Sequence, residues 1–479
     1  MNDATRGPAG RAAAAGDEAR ELTTTLEADA AAPPQSVGRG GGTFESFAHR
    51  DFRLFWSGAL VSNIGSWMQA YALGIVVFGL RGSSFDLGLV NFLSGLPVLV
   101  LALPAGAIAD RVDRRRLLIV IQVVLLLQAA ALGALYNLGR LGPHDPVASL
   151  VRVAALGLVG GVSMAFMAPA FQSMLPDLVP RRLLLNGIAL NSAQFQSSRL
   201  LGPLVAAGVV LAGAGMGEVF YVNAASFLFV IAALWAIRLD RGAGPAAAPG
   251  GVHRATPDRD SWRQASWHAL TAGLRYARAD RAVGVLILST AIMTVCAFPY
   301  MTLLPAIVHH SLGLSGRELS RTVAFVMAAN GLGALAGALG VASLPAGFRR
   351  DRVIPLALAA LALLLAAFAL SRWLPLMLVL STLGGMALLA SNSLTNTSIQ
   401  AAAPAHLRGR VMSLYVLSFL GMMPISGLLF GAVGQAVGPA NAVLVGAVLL
   451  LAWTTVLLAR PALLKPSDAR GTAREPARG

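Results

Sequence analysis

The chain reads as a succession of apolar blocks parted by short polar gaps. Twelve blocks run at approximately 54–80, 86–109, 116–138, 148–170, 186–212, 218–238, 283–308, 320–343, 353–371, 374–398, 409–434 and 440–460. Each is close to the ~20 residues a helix needs to cross a bilayer. The blocks are continuously apolar rather than alternating, and they are about twice as long as a barrel strand, so helices are expected. The longest polar interruption, 239–281, divides the blocks six and six. The pattern therefore predicts an all-α membrane protein with twelve transmembrane helices in two six-helix halves, residues 44–238 and 282–462. Tails at 1–43 and 463–479 flank them. The first is rich in Ala, Gly, Pro and mixed charge, holds no apolar stretch of signal-peptide length, and reads as a disordered tail. Inside 239–281, Trp262, Trp267, Leu270, Leu274 and Ala277 recur at helical spacing with Arg263, Arg275 and Arg278 between them. This predicts a short helix lying on the membrane surface and tethering the halves.

Composition removes the soluble alternatives. A chain of 479 residues could hold several soluble domains, but 56% of it is apolar and 12% charged. That is about half the charge of an ordinary soluble domain. The net charge of +15 does not mark a nucleic-acid binder, because the arginines fall in the gaps between apolar blocks and not in one solvated patch. Placing the tails inside gives nineteen arginines in inward loops against six in outward ones, so both termini are expected in the cytoplasm. Cys296 is the single cysteine, and the seven histidines show no metal-ligand spacing, so neither a disulfide nor a metal site is expected. No nucleotide-binding pattern appears. No bound cofactor is expected; a proton gradient could supply the energy. The acids lie in tails, loops and span ends, leaving Asp86, Asp110 or the pair His309 and His310 as proton-carrying candidates.

The two halves echo each other. Val179-Pro180-Arg181-Arg182 opens the fifth block and Ala403-Pro404 through Arg408 opens the eleventh; Gly202-Pro203 and Gly421 with Pro424 then follow within them. Paired halves of this kind are a transporter architecture. At the inner end of the second block stands Gly106-Ala107-Ile108-Ala109-Asp110-Arg111-Val112-Asp113-Arg114-Arg115-Arg116. This stretch resembles the loop 2–3 signature of the major facilitator superfamily, G-x-x-x-D-R-x-x-R-R, with Asp113 where many members have glycine. The resemblance implies a conformational latch made by Gly106, Asp110, Arg111 and Arg114. The aspartate would accept charge-assisted bonds that break and reform in each cycle.

Four further stretches narrow the resemblance. They are Phe52-Arg53-Leu54-Phe55-Trp56 with Ser62 to Gln69, then Leu175 to Pro180, then Asn186 to Ser192, and finally Leu407 to Tyr415. Together they look like the enterobactin-exporter-like branch, the transmembrane secretion effectors. That resemblance covers about 50–460. It implies alternating access and export of a siderophore or drug-like molecule.

Arg199 lies near the middle of the fifth block, where a charge costs several kcal/mol (~3 on insertion scales) unless it faces the interior or an aqueous cavity. Asn191, Gln194 and Ser198 share its helix at i, i+3, i+7. Two roles are open for Arg199: a cavity wall meeting a polar or anionic part of the substrate, or a packing residue held by backbone carbonyls or Asn223. Gly202, Pro203 and the small residues after them loosely resemble an antiporter helix-packing motif. Ser62, Ser66 and Gln69, with Asn63 at the edge, form a polar stripe on the first block; Asn392, Asn396 and Gln400 form one on the tenth. In the superfamily's arrangement these stripes would face the substrate path; hydrogen bonding between helices is the other reading.

The expected function is a secondary transporter of the bacterial inner membrane, exporting an amphipathic small molecule. Its partners are that substrate and the lipid bilayer, with no nucleic acid, and it is expected to be a monomer. An importer of a small metabolite, or a membrane scaffold or receptor that transports nothing, are the alternatives. An intramembrane enzyme would need a nucleophile and base facing each other at depth, and no histidine lies in mid-span.

Overall fold

The computed structural model describes residues 44–109, 112–237, 271, 273–343, 350–404 and 407–464. Among these residues the helices form twelve rods: α1 (Arg50–Arg81), α2 (Ser84–Ala109), α3 (Arg114–Asn137), α4 (Pro146–Leu178), α5 (Leu184–Leu211), α6 (Met216–Ala236), α7 (Arg281–Ala297, Pro299–Thr302 and Leu304–Leu312), α8 (Gly316–Ala342), α9 (Arg350–Leu370), α10 (Leu374–Ala402), α11 (Arg408–Val416, Leu417–Gly421 and Met422–Val437) and α12 (Pro439–Ala459). Eleven are long and apolar enough to cross a membrane. The remaining rod, α5, is long enough at 28 residues, but Asn191, Gln194, Gln196 and Arg199 dilute its apolar character. Helices suit this chain because apolar surroundings leave backbone groups no partner except one another.

Short side chains and glycines end the rods. Asp113, Asp145 and Asp280 accept backbone N–H bonds at the starts of α3, α4 and α7. Gly82 and Gly313 take left-handed conformations (φ 65° and 68°) after α1 and α7, returning their N–H groups to the last turn. Asp113, which departs from the family signature, thus caps α3 through a 2.8 Å bond from the Arg116 backbone N–H.

Rod pairing repeats between the halves. α1 packs on α5 and α6, α3 on α4 and α6, and α2 on α4; six rods on, α7 packs on α11 and α12, α9 on α10 and α12, and α8 on α10. The halves meet through α2 with α11 and through α5 with α8, themselves a matched pair. Both joints bring backbone against backbone: a Cβ on Gly88 of α2 would strike the Gly427 carbonyl of α11, and one on Gly331 of α8 would lie 2.7 Å from Leu200 of α5. The end of the molecule away from the start of α1 and the finish of α12, here the far end, is closed across the halves. Tyr71 of α1 donates to the Ser320 carbonyl of α8 at 2.8 Å. Phe78 packs edge-on to His309 at 5.4 Å, and Ser83 donates to Gln435 at 3.2 Å.

Two expected helices differ in kind. The block at 283–308 is broken at Phe298 and Leu303, beside Pro299 and Pro305. Proline has no N–H to give the carbonyl four residues back. The carbonyl freed by Pro299 belongs to Val295, and it accepts instead from Ser426 Oγ of α11 at 2.9 Å. The block at 409–434 carries a π-helical turn, Leu417–Gly421, just before Pro424. The widened turn relieves the ring's contact with the preceding turn. The fourth and tenth blocks also run further than expected, to Leu178 and Ala402; α4 continues through Pro169 and Pro176. Substituting Ser426→Ala leaves the Val295 carbonyl buried and unpaired, at a cost of about 1–3 kcal/mol. Thermal unfolding of the purified protein should show a lower Tm; an unchanged Tm would mean that another group satisfies the carbonyl.

Of the tethering segment, residues 273–279 form a helical stretch that packs where α10 ends and α11 begins. The Tyr276 hydroxyl reaches the Ala402 carbonyl at 3.4 Å and Asp280 at 3.3 Å. Burial and the Asp280 carboxylate raise the Tyr276 pKa. Trp262, Arg263, Trp267 and Leu270 lie outside the described residues, as do the tails at 1–43 and 465–479.

Candidate substrate chamber

The polar stripe on α1 meets a matching one on α3. Ser62 Oγ approaches Gln122 Oε1 at 3.5 Å, and about two turns further Gln69 donates to Gln128 at 3.1 Å. Gln128 donates in turn to the Leu156 carbonyl of α4 at 3.3 Å. Asn223 of α6 donates to Gln69 Oε1 at 2.8 Å, so Gln69 sits in an amide chain running through the first half. Such a chain satisfies groups that lipid could not and fixes how the rods face each other.

Toward the end where α1 starts and α12 finishes, the rods part around a cavity of about 370 Å³. α1 contributes Ser62, Asn63 and Ser66; α3 contributes Gln122; α4 contributes Met164, Met167, Phe171 and Gln172; α5 contributes Asn191, Gln194, Phe195 and Gln196; and α6 closes it with Phe227 and Val230. Four of the expected cavity residues, Asn63, Ser66, Asn191 and Gln194, therefore come together. Gln194 Nε2 and Gln196 Oε1 are buried without a hydrogen-bond partner. Buried amides left open in this way are the groups a polar ligand would engage. Mixed with thioethers and aromatic rings, they suit a molecule that is part polar and part apolar.

The other expected residues lie elsewhere. Ser198 is fully buried and bonds the Gln194 carbonyl at 2.9 Å, within its own helix. Gly202 and Pro203 are buried where α5 crosses α1; a Cβ on Gly202 would come within 2.9 Å of the Ile64 carbonyl. Asn392 accepts from the Tyr415 hydroxyl of α11 at 2.6 Å, and Asn396 accepts from Gln400 at 2.9 Å. That stripe stands on α10, away from the chamber.

Asp110 and Arg111 lie outside the described residues, and nothing is described around Gly106. Arg114 donates to the Ser173 carbonyl at 3.1 Å and to Asp177 at 3.0 Å, both at the end of α4. It therefore ties α3 to α4 within the first half. The Leu175 to Pro180 stretch gains its role there, by supplying Asp177.

Arg199 reaches neither Asn223 nor a carboxylate among the described residues. Its guanidinium donates to Asn330 Oδ1 of α8 at 2.6 Å, across the joint between the halves. It also lies over the Trp67 ring, 5.5 Å from the centroid. Asn330 is fully buried and donates onward to the Tyr300 hydroxyl of α7 and to the Ser381 carbonyl of α10 at 3.3 Å. Arg199 stands one turn beyond Phe195, on the far-end side of the chamber. The sequence marked Arg199 but missed its partner and the chamber's Gln122, Gln172 and Gln196. Amides standing in otherwise apolar rods, Gln122 with Gln128 in α3 and Asn330 alone in the apolar part of α8, were the available signal.

Twelve rods in two matched halves, joined by α2 with α11 and α5 with α8 beside a polar-lined chamber, define a transporter of the major facilitator type. The chain belongs to the transmembrane secretion effector family, whose model matches residues 41–475. It is 27% identical to the multidrug efflux pump Tap of Mycolicibacterium fortuitum, over 79% of this chain and 88% of that one. It is 24% identical to the enterobactin exporter EntS of Escherichia coli O1:K1, over 82% and 87%. Among solved structures, the nucleoside transporter NupG matches with a TM-score of 0.63 at 11% identity, covering 86% of this chain and 98% of that one. A bacterial homologue of the human lysosomal transporter Spinster matches with a TM-score of 0.60 at 14% identity, covering 89% and 97%. The protein is a multi-pass membrane transporter and not an enzyme.

Proposed function

We propose that this transporter is a secondary active exporter that moves a siderophore, drug-like or other amphipathic small molecule by alternating access. The observation that carries this reading is the chamber, where Gln194 and Gln196, each with one amide atom left unpaired in the wall, share the lining with Met164, Met167 and Phe171. A strictly polar metabolite would gain nothing from the thioethers and rings, and a simple hydrocarbon would leave the amides unpaired. The names of Tap and EntS add an efflux pump and an exporter among its relatives. With the tails in the cytoplasm of a bacterial inner membrane, as the arginine bias argues, the chamber lies on the cytoplasmic side and the closed far end faces outward. Arg199, just beyond the chamber, would meet the anionic part of a substrate.

Everted membrane vesicles test the reading, with a fluorescent amphipathic dye and a ferric-free siderophore as probes. Protein-dependent accumulation of either inside the vesicles supports export. Accumulation only in right-side-out vesicles identifies an importer, and no accumulation of either overturns the proposal. Repeating the assay without a proton gradient reads the energy source.

A further inference from the structure

We infer that Arg199 is a strut between the halves that an anionic group on the substrate displaces, so that filling an anion site at Arg199 loosens the joint between α5 and α8. The inference rests on the chamber being the substrate's entry point.

The bond from Arg199 to Asn330 is short and crosses between halves, but it joins a cation to a neutral amide. The charge is left uncompensated: Arg199 takes part in none of the ion pairs among the described residues. Its Nε is buried with no acceptor. A carboxylate or phenolate reaching this point would gain a charge-assisted, two-pronged bond that the amide cannot match. Asn330 cannot follow the guanidinium. Its Nδ2 is engaged by Tyr300 and Ser381, and a Cβ on neighbouring Gly385 of α10 would already strike it.

Position makes the exchange consequential. Phe195, one turn before Arg199, lines the chamber and packs edge-on to Trp67 at 6.0 Å. Trp67 in turn lines a second cavity of about 320 Å³ between the halves, with Asn91 and Ser94 of α2, Met301 of α7 and Met327 of α8. Trp67 and Phe195 thus stand between the two spaces, and Arg199 lies over the Trp67 ring one turn beyond Phe195. The joint beside them has no slack, since Gly331 admits no Cβ against Arg199 and Leu200. A ligand shifts a conformational equilibrium only by its difference in affinity between the two states. Competition with Asn330 supplies that difference: in the closed joint Arg199 is engaged, and in the open joint it is free for the anion. A neutral molecule of the same shape leaves the strut in place.

The test uses the full chain in lipid nanodiscs, with Cys296→Ala and spin labels at Leu211→Cys and Arg317→Cys, exposed positions at the far ends of α5 and α8. The probes are 2-naphthoate and 2-naphthamide, which share a shape and differ in charge. Naphthoate should add a longer distance population and naphthamide should not; Arg199→Gln should abolish the response. Asn330→Asp places a carboxylate opposite the guanidinium and makes the strut permanent. It should hold the short distance with either probe and slow transport roughly tenfold or more. The inference is overturned if the distance ignores naphthoate, if both probes move it equally, if Arg199→Gln still responds, or if Asn330→Asp transports normally. Vesicles that accumulate no amphipathic probe would instead sink the proposed export, while the distance measurement is read independently of transport.

Discussion

Gly88→Leu is expected to abolish transport while leaving a membrane-inserted protein. A Cβ at Gly88 has no room: it would strike the Gly427 carbonyl and lie 3.0 Å from the Gly431 Cα, both backbone atoms of α11. Backbone cannot swing aside as a long side chain can, so α2 and α11 must separate. Overpacking of this kind costs about 1–3 kcal/mol. That is modest for a protein of twelve rods but large for the equilibrium between two arrangements of its halves, where 1.4 kcal/mol is already about tenfold. The lever lies at one of the two joints, so the effect should fall on the far-end closure made by Tyr71, Phe78 and Ser83. Gly208→Leu is the control, because a Cβ there meets nothing within 4 Å and the residue is exposed. Transport in vesicles, normalised to the amount of inserted protein, should drop at least about tenfold for Gly88→Leu and stay near the parent for Gly208→Leu. Equal rates for the two would show that α2 and α11 do not need this contact.

The chain of apolar blocks made the number and order of rods legible, because lipid imposes one requirement on every span and the requirement shows residue by residue. It concealed what happens inside a span. Pro299 and Pro305 sit within an apolar run that gives no other hint of a break, and whether proline breaks a membrane helix depends on whether a neighbour takes the freed carbonyl. Here Ser426, far along the chain, does so for Val295. The stripe of Ser62, Ser66 and Gln69 was readable as a face, but its destination was not. Gln69 turned to Asn223 and Gln128, while Ser62 and Ser66 opened onto the chamber. Arg199 shows the same division. Its cost in mid-membrane announced a special role, whereas Asn330, 131 residues away, could be found only by seating the two halves together. Spacing along one helix identifies a face, and only the pairing of helices identifies what the face meets.

Arg199→Leu is expected to cost the transport of anionic substrates first. The substitution removes a group that is unfavourable at mid-membrane depth by ~3 kcal/mol, so insertion should not suffer. It also strands Asn330 Oδ1 in a buried site, a loss of about 1–3 kcal/mol, and takes the stacked cation from Trp67. These terms roughly offset, and the folded protein should survive. Recognition has no such compensation. A bond between a guanidinium and a carboxylate contributes about 1.5–3 kcal/mol, so kcat/KM for a carboxylate probe should fall roughly ten- to a hundredfold relative to its amide counterpart. Arg199→Lys keeps the charge but loses the planar fork that stacks on Trp67 while bonding Asn330. It should recover part of the carboxylate preference and little of the rate. Matched transport of 2-naphthoate and 2-naphthamide in everted vesicles measures this directly. A parallel fall for both probes would make Arg199 a packing residue, whereas a selective fall for the carboxylate would place the substrate's charge at the seam where the two halves are tied.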